Sequence, residues 1–281
     1  MGAASEIEAG ERFPFGENWR RFLAVVDEQT IESATAALAD MLETTDLSGR
    51  RFLDIGCGSG LSSLAAHRLG AEVVSFDFDP ASVACTEELR RRFGGDTAWT
   101  VLAGSVLDDD FLSGLGQFGI VYSWGVLHHT GRMWDACAAA ARSVESDGQL
   151  FIALYNDQGA VSRAWTAVKR RYNQAGPSGR RALELGSAAY LGSRTAVARL
   201  GRKVLRPTSE APAAAGAPFD ERGMRATYDL RDWVGGYPFE VASPGEVFEF
   251  HHALGFDLQR MRTVVNGHGC NEFVFRRRSR D

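Results

Sequence analysis

The chain has 281 residues, 44% of them hydrophobic and 24% charged, enough for one large α/β domain or one domain carrying a sizeable insertion. Its formal charge of -5 gives no global reason to expect a nucleic-acid partner. Four cysteines, Cys57, Cys85, Cys137 and Cys270, show no CxxC pair and no Cys/His ligand spacing, so reduced thiols are expected rather than disulfides, and no metal.

The first residues, MGAASEIEAGERF, lack the basic start and apolar stretch of a signal peptide. No apolar run approaches the ~20 residues that span a bilayer, so a cytoplasmic protein is expected. Residues 17–45 read as one or two helices, because Trp19, Phe22, Leu23 and Val26 recur at helical spacing. This helical cap, residues 1–48, is expected to pack across the carboxyl edge of the sheet that follows, with Trp19 a candidate acceptor contact.

From residue 51 to 156 short apolar runs alternate with helical patterns. RRFLDIG, EVVSFDF, TAWTVLAG, FGIVYSWG and QLFIALYN are near-continuous hydrophobic strands, the pattern of a parallel sheet covered on both faces. Between them Leu61–Leu69, Ala81–Phe93, Asp109–Gly116 and Met133–Val144 have helical composition, and Pro80 suits a first helical turn. The rhythm predicts right-handed crossovers and ligands at the carboxyl ends of the strands.

Residues 158–206 differ in kind. They hold eleven Lys/Arg, Arg163 among them, against one acid, Glu184, and run into the Ala/Pro-rich stretch PTSEAPAAAGAP, which reads as a connector. SPGEVFEFHHALGF then reads as a helix ending at Gly255. FDLQRMRTVV and NEFVFRR follow as two strands joined by a turn at Asn266–Gly269.

The first strand ends in Asp54-Ile55-Gly56-Cys57-Gly58-Ser59-Gly60. Glycines at 56, 58 and 60 let the backbone turn tightly and approach a ligand without Cβ interference, and the next helix offers free N–H groups to an anion. A dinucleotide loop, GxGxxG, would need its third glycine at 61, where Leu61 stands. Asp54 would repel a pyrophosphate yet attract the ammonium of an amino-acid ligand. Asp77, closing the second strand, can accept hydrogen bonds from ribose hydroxyls, leaving Asp79 to cap the helix. Phe78 and Pro80 are placed to flank a base, and Ser105 and Val106 to contact it.

With WGVLHHT at 124–130, these motifs make the chain similar to the class I S-adenosylmethionine-dependent methyltransferases, particularly the group with a VLHH tail on the fourth strand. The resemblance covers roughly residues 50–156 well and the C-terminal strands moderately. It implies a Rossmann-like, doubly wound seven-stranded sheet with an antiparallel last strand. S-adenosylmethionine would be the cofactor and S-adenosylhomocysteine its product. It further implies Asp54 and the glycine loop near the methionine part, Asp77 on the ribose, and Ser123 and Trp124 beside the methionine. Ser105 departs from the family, where many members have Asp. The domain would comprise residues 49–157 and 241–281, with 158–240 a basic insertion, linker and substrate lid.

Methyl transfer from a sulfonium needs alignment more than acid–base chemistry. His128 and His129 stand beyond the fourth strand, where an imidazole of ordinary pKa could take a proton; one of them could instead pack structurally. Tyr155, Asn156 and Asp157 end the fifth strand and could orient or deprotonate the acceptor, with Tyr155 a catalytic candidate, or Asn156-Asp157 could be plain turn residues. His268 lies in a polar turn entering the last strand. The function expected is methylation of a small molecule, oxygen favoured, with the basic insertion serving a phosphate- or carboxylate-bearing acceptor or an anionic membrane surface. RNA ranks behind these. A cofactor-binding module, a non-methyl reaction on the same fold, and a nicotinamide enzyme are the alternatives, the last opposed by Leu61 and Asp54.

Overall fold

The computed structural model describes residues 3–95, 98–205, 226–264 and 268–279. Seven strands, β1 (Arg51–Ile55), β2 (Glu72–Asp77), β3 (Trp99–Ala103), β4 (Phe118–Trp124), β5 (Val144–Tyr155), β6 (Phe256–Arg262) and β7 (Cys270–Arg277), form one sheet in the order β3-β2-β1-β4-β5-β7-β6. β1 to β5 pair parallel, whereas β7 runs antiparallel to both β5 and β6. The chain winds outward from β1 to β3, then crosses back to β4. That reversal opens a crevice at the carboxyl ends of β1 and β4, where ligands bind in open α/β sheets.

Strand side chains alternate between two cores. Phe52, Val73 and Ile120 face a layer formed by α3 (Glu28–Leu42), α4 (Leu61–Arg68) and α5 (Pro80–Phe93). Leu53, Val121 and Ile152 face the layer of α7 (Met133–Arg142) and α11 (Pro244–Ala253), with α6 (Asp109–Leu115) at its end. Both faces are covered, which is why the strands read as unbroken apolar runs. Asp79 caps α5, its side chain accepting from the Ala81 N–H, with Pro80 in the first turn. A reciprocal Ser243/Glu246 capping box starts α11.

Two helices occupy the 17–45 region, α2 (Phe15–Leu23) and α3, preceded by a short α1 (Ala3–Glu8). The insertion is helical, with α8 (Ala160–Gln174), α9 (Pro177–Leu205) and α10 (Ala226–Gly235). The connector at 207–218 lies outside the described residues, as do Asn266 and Gly267 of the expected final turn. A third core, of Phe13, Trp165, Tyr172, Trp233, Val234 and Phe239, clamps the N-terminal segment onto the insertion. Gly235 makes this close approach possible: a Cβ there would meet the Phe13 ring at 2.1 Å. β5 is longer than its sequence pattern, entering at Val144 through a left-handed Asp147.

Candidate active site

A cavity of about 700 Å³ lies at the carboxyl ends of β1 to β5, within the ~300–1,000 Å³ range of small-molecule sites. At one end the glycine loop forms its floor. Gly56, Gly58 and Gly60 all adopt positive φ, and a Cβ at Gly58 would meet Trp19 at 2.9 Å. Trp19 therefore lies on the loop and lines the cavity from α2.

Two carboxylates border this end, Asp54 buried and Asp77 half-buried. Asp77 accepts the Gly58 N–H at 3.0 Å and the Asp79 N–H at 2.9 Å, which locks the glycine loop to the tip of β2. Asp54 accepts a 2.5 Å hydrogen bond from Ser63 Oγ; Ser63 lies 2.7 Å from Ser75 Oγ, which accepts from Trp99 Nε1 at 2.8 Å. Burial dominates both acids, lifting Asp54 to about 7 and Asp77 to about 6 against their hydrogen bonds. Cys57 is packed against Thr86, whose hydroxyl donates to its sulfur at 3.2 Å, and burial raises its thiol well above the ordinary value. Phe78, Ser105 and Val106 line the same end, the Ser105 hydroxyl also accepting the Leu107 N–H at 3.1 Å. Pro80 is not among the lining residues.

A second part of the lining is a run of aromatic rings. Phe13 and Phe15 meet edge to face at 5.0 Å, Phe15 contacts the His129 ring at 4.9 Å, His129 contacts Tyr155 at 5.4 Å, and Tyr155 contacts Trp233 at 5.2 Å. All five line the cavity, together with Trp124, whose Nε1 donates to Glu272 at 2.8 Å. His129 Nδ1 lies 2.6 Å from the Pro238 carbonyl, which can only accept, so Nδ1 carries the proton and Nε2 keeps the lone pair. Burial holds this imidazole down at about 3, with Lys169 and Arg12 opposing its charge and the Pro238 bond favouring it.

Arg12 closes the roof. Its Nε bonds Glu6 at 2.7 Å, its NH1 donates to the His129 carbonyl at 3.0 Å, and its guanidinium lies 4.9 Å over the Phe78 ring.

Several expected site residues lie elsewhere. Ser123 is fully buried and donates to the Ile55 carbonyl at 3.0 Å; its neighbours Tyr122 and Trp124 take the cavity-facing phase of β4. His128 is fully buried beneath Tyr155, its Nδ1 accepting the Tyr155 N–H at 3.3 Å, so the histidine that packs structurally is this one. Asn156 pairs with Asn271 at 3.0 Å, and Asp157 accepts the Gly159 N–H at 2.7 Å in an exposed turn. Arg163 is exposed on α8, outside the cavity. His268 lies behind Trp233, at 5.3 Å, with its Nδ1 3.1 Å from Gln158 Nε2. Among the described residues of the insertion, Trp233 alone lines the cavity, and none of its cations does. Lys169 is buried instead, its Nζ donating to the Trp233 carbonyl and capping the last turn of α10.

Arg12, Phe13, Phe15 and Trp233 were not legible as site residues. The one local signal was the aromatic density of Arg12-Phe13-Pro14-Phe15, next to a glycine.

A family model described as a methyltransferase domain matches residues 53–152, the stretch from β1 to β5 that carries the glycine loop. Residues 53–152 match a methyltransferase domain. The chain is 26% identical over 156 residues to a ubiquinone biosynthesis O-methyltransferase from Methylococcus capsulatus, covering 55% of this chain and 65% of that protein. Over 61 residues it is 43% identical to a ribosomal protein L11 methyltransferase from Vibrio vulnificus, 21% of either chain. The chain thus spans less than two thirds of the length of these relatives. In fold, the methyltransferase domain with its cap and insertion is similar to magnesium protoporphyrin IX methyltransferase from Synechocystis with bound SAH (TM-score 0.53, 13% identity, 93% of each chain).

Proposed function

We propose that the protein transfers a methyl group from S-adenosylmethionine to a small-molecule acceptor, oxygen being the favoured atom. One observation carries this reading: a single cavity is lined both by the glycine loop with its two carboxylates and by a run of rings that includes a neutral histidine. The residues fit the cofactor. Asp54 and Asp77 are held above the ordinary carboxylate range by burial, so a ligand bringing an ammonium to the first and hydroxyls to the second relieves that cost. Two linked phosphates would worsen it.

In this reading Gly56 to Gly60 and Asp54 hold the methionine part, Asp77 the ribose, and Phe78, Ser105 and Val106 the base. When bound, the cofactor supplies a methyl carbon already made electrophilic by its sulfonium. This chain's residues then align and exclude water. His129 Nε2 accepts the hydrogen bond of the acceptor hydroxyl and turns an oxygen lone pair toward the methyl. With its pKa near 3 the imidazole does not store the proton, which leaves to bulk solvent as the site reopens after transfer. Tyr155 and Trp124 flank this position.

Calorimetry with S-adenosylmethionine and S-adenosylhomocysteine tests the cofactor assignment, and mass spectrometry for a methylated product tests turnover. Binding to neither ligand, or binding of NAD in their place, would sink the reading. The basic insertion has a narrower part in it than its composition suggests. Lys169 and Arg180 bind backbone carbonyls and Arg170 bonds Tyr237, so much of the charge in the described part of the insertion serves its own folding.

A further inference from the structure

We infer that the acceptor is an uncharged, flat, ring-bearing compound with a free hydroxyl, seated between the N-terminal phenylalanines and the Tyr155–Trp233 wall. The inference rests on the methyltransferase reading and adds the chemistry of the second ligand.

Four separated segments build the wall. Phe13 and Phe15 come from the N-terminal strap, His129 and Tyr155 from the ends of β4 and β5, and Trp233 from α10. Successive rings are 4.9 to 5.4 Å apart between centroids, with Phe13–Phe15 and Tyr155–Trp233 edge to face at 77° and 85°. Such a surface presents ring faces and edges to whatever it encloses, and aromatic partners gain about 0.5–1.5 kcal/mol per pair beyond area burial.

Charge is handled consistently. Behind the wall Lys169 Nζ lies 4.4 Å from the Trp233 ring, 4.5 Å from Phe239 and 5.7 Å from Tyr155. A cationic acceptor on the near faces would compete with that ammonium for the same π electrons. A full anion would meet the negative faces of the rings, while the two lining arginines are each paired, Arg12 with Glu6 and Arg132 with Asp135, and no insertion cation among the described residues reaches the cavity. An uncharged body satisfies both constraints. The polar group it needs is a donor, because Pro238 fixes the His129 tautomer and leaves Nε2 able only to accept. An aromatic or otherwise planar alcohol meets every condition; a phosphate or carboxylate ester of the same ring meets the shape and fails at the histidine.

The test uses the full chain and four matched probes: naphthol, naphthoate, naphthylmethylammonium and decahydronaphthol, titrated calorimetrically with and without saturating S-adenosylhomocysteine. Naphthol should bind tightest, by roughly tenfold or more over either charged probe, and severalfold over the saturated alcohol that lacks π faces. Phe15→Ala should lower naphthol affinity about fivefold while S-adenosylhomocysteine affinity stays unchanged. Equal or tighter binding of naphthoate or of the ammonium overturns the inference, as does equal binding of decahydronaphthol or no naphthol binding. S-adenosylhomocysteine is titrated separately, so failure of the cofactor reading shows in that titration and failure of the acceptor class shows in the order of the probes.

Discussion

Asp54 ends a chain of hydrogen bonds whose direction is fixed by its first member. The Trp99 indole can only donate, so Ser75 accepts it and passes its own proton to Ser63, which donates to Asp54. Every link points a proton at the carboxylate and favours its ionised form against burial. Ser63→Ala should remove a bond to a charged group worth about 1.5 kcal/mol, weakening S-adenosylhomocysteine binding roughly tenfold at pH 7. Trp99→Phe should have a smaller effect in the same direction, since it acts two links away; calorimetry on both variants checks the order. At the other end, His129→Phe should keep the ring contacts with Phe15 and Tyr155 but lose the acceptor nitrogen. Methyl transfer should fall roughly 10- to 100-fold with cofactor affinity intact. Because the imidazole titrates at about 3, the rate should show no histidine inflection between pH 5.5 and 7.5. An inflection near 6.5 that disappears in His129→Phe would show instead that the side chain works as a base. The residues legible in the sequence were those whose role is local. Asp54, the glycines and Asp77 are each defined within a few positions of a strand end. Of the expected pair Ser123 and Trp124, only Trp124 lines the cavity, because strand alternation, which sends Tyr122 and Trp124 to that face, is invisible in a continuously apolar strand.

At the scale of elements, the strap from α1 to α2 is held by few contacts, each to a different part of the molecule. Arg12 reaches Glu6, the His129 carbonyl and Phe78; Gly16 N–H donates to Asp79 Oδ2 at 2.9 Å; Phe13 N–H donates to the Tyr237 carbonyl at 3.0 Å. These bonds lie over the cavity and fix its roof. Arg12→Met should leave the sheet untouched and quicken S-adenosylhomocysteine release several-fold, read by stopped-flow displacement; an unchanged off-rate would show that the guanidinium holds nothing closed. The sheet and its flanking helices were legible from periodicity, since each strand and helix satisfies its own pattern. The ring wall was not, because Phe13, Tyr155 and Trp233 lie more than seventy residues apart in sequence and become neighbours only when strap and insertion close on the sheet. Lys169 of α8 was hidden for a related reason: at a helical position among exposed cations it reads as solvent-facing until α10 covers it.

For the molecule as a whole, the two acids of the site tie stability, ligand binding and pH together. Asp54 has a folded pKa of about 7 against an ordinary 3.8. The folded, ligand-free protein therefore binds a proton that the unfolded chain releases. Its contribution is fully present below pH 4 and is lost as pH rises through 7. Asp77, at about 6, acts in the same direction over a lower window. Relative to Asp54→Asn, the native chain should lose stability between pH 4 and 7, by a few kcal/mol at most, which denaturant titrations at several pH values can measure. Binding reverses the preference, because an ammonium beside Asp54 favours the carboxylate. S-adenosylhomocysteine should accordingly bind roughly tenfold more tightly at pH 8 than at pH 6, releasing up to about one proton near pH 6.5. Calorimetry in buffers of different ionisation enthalpy counts that proton directly. The ligand's own amino group stays charged across this range, so the release belongs to the protein. If affinity is flat from pH 6 to 8 and no proton leaves, the ammonium does not meet Asp54, and the orientation of the cofactor along the glycine loop must be drawn differently.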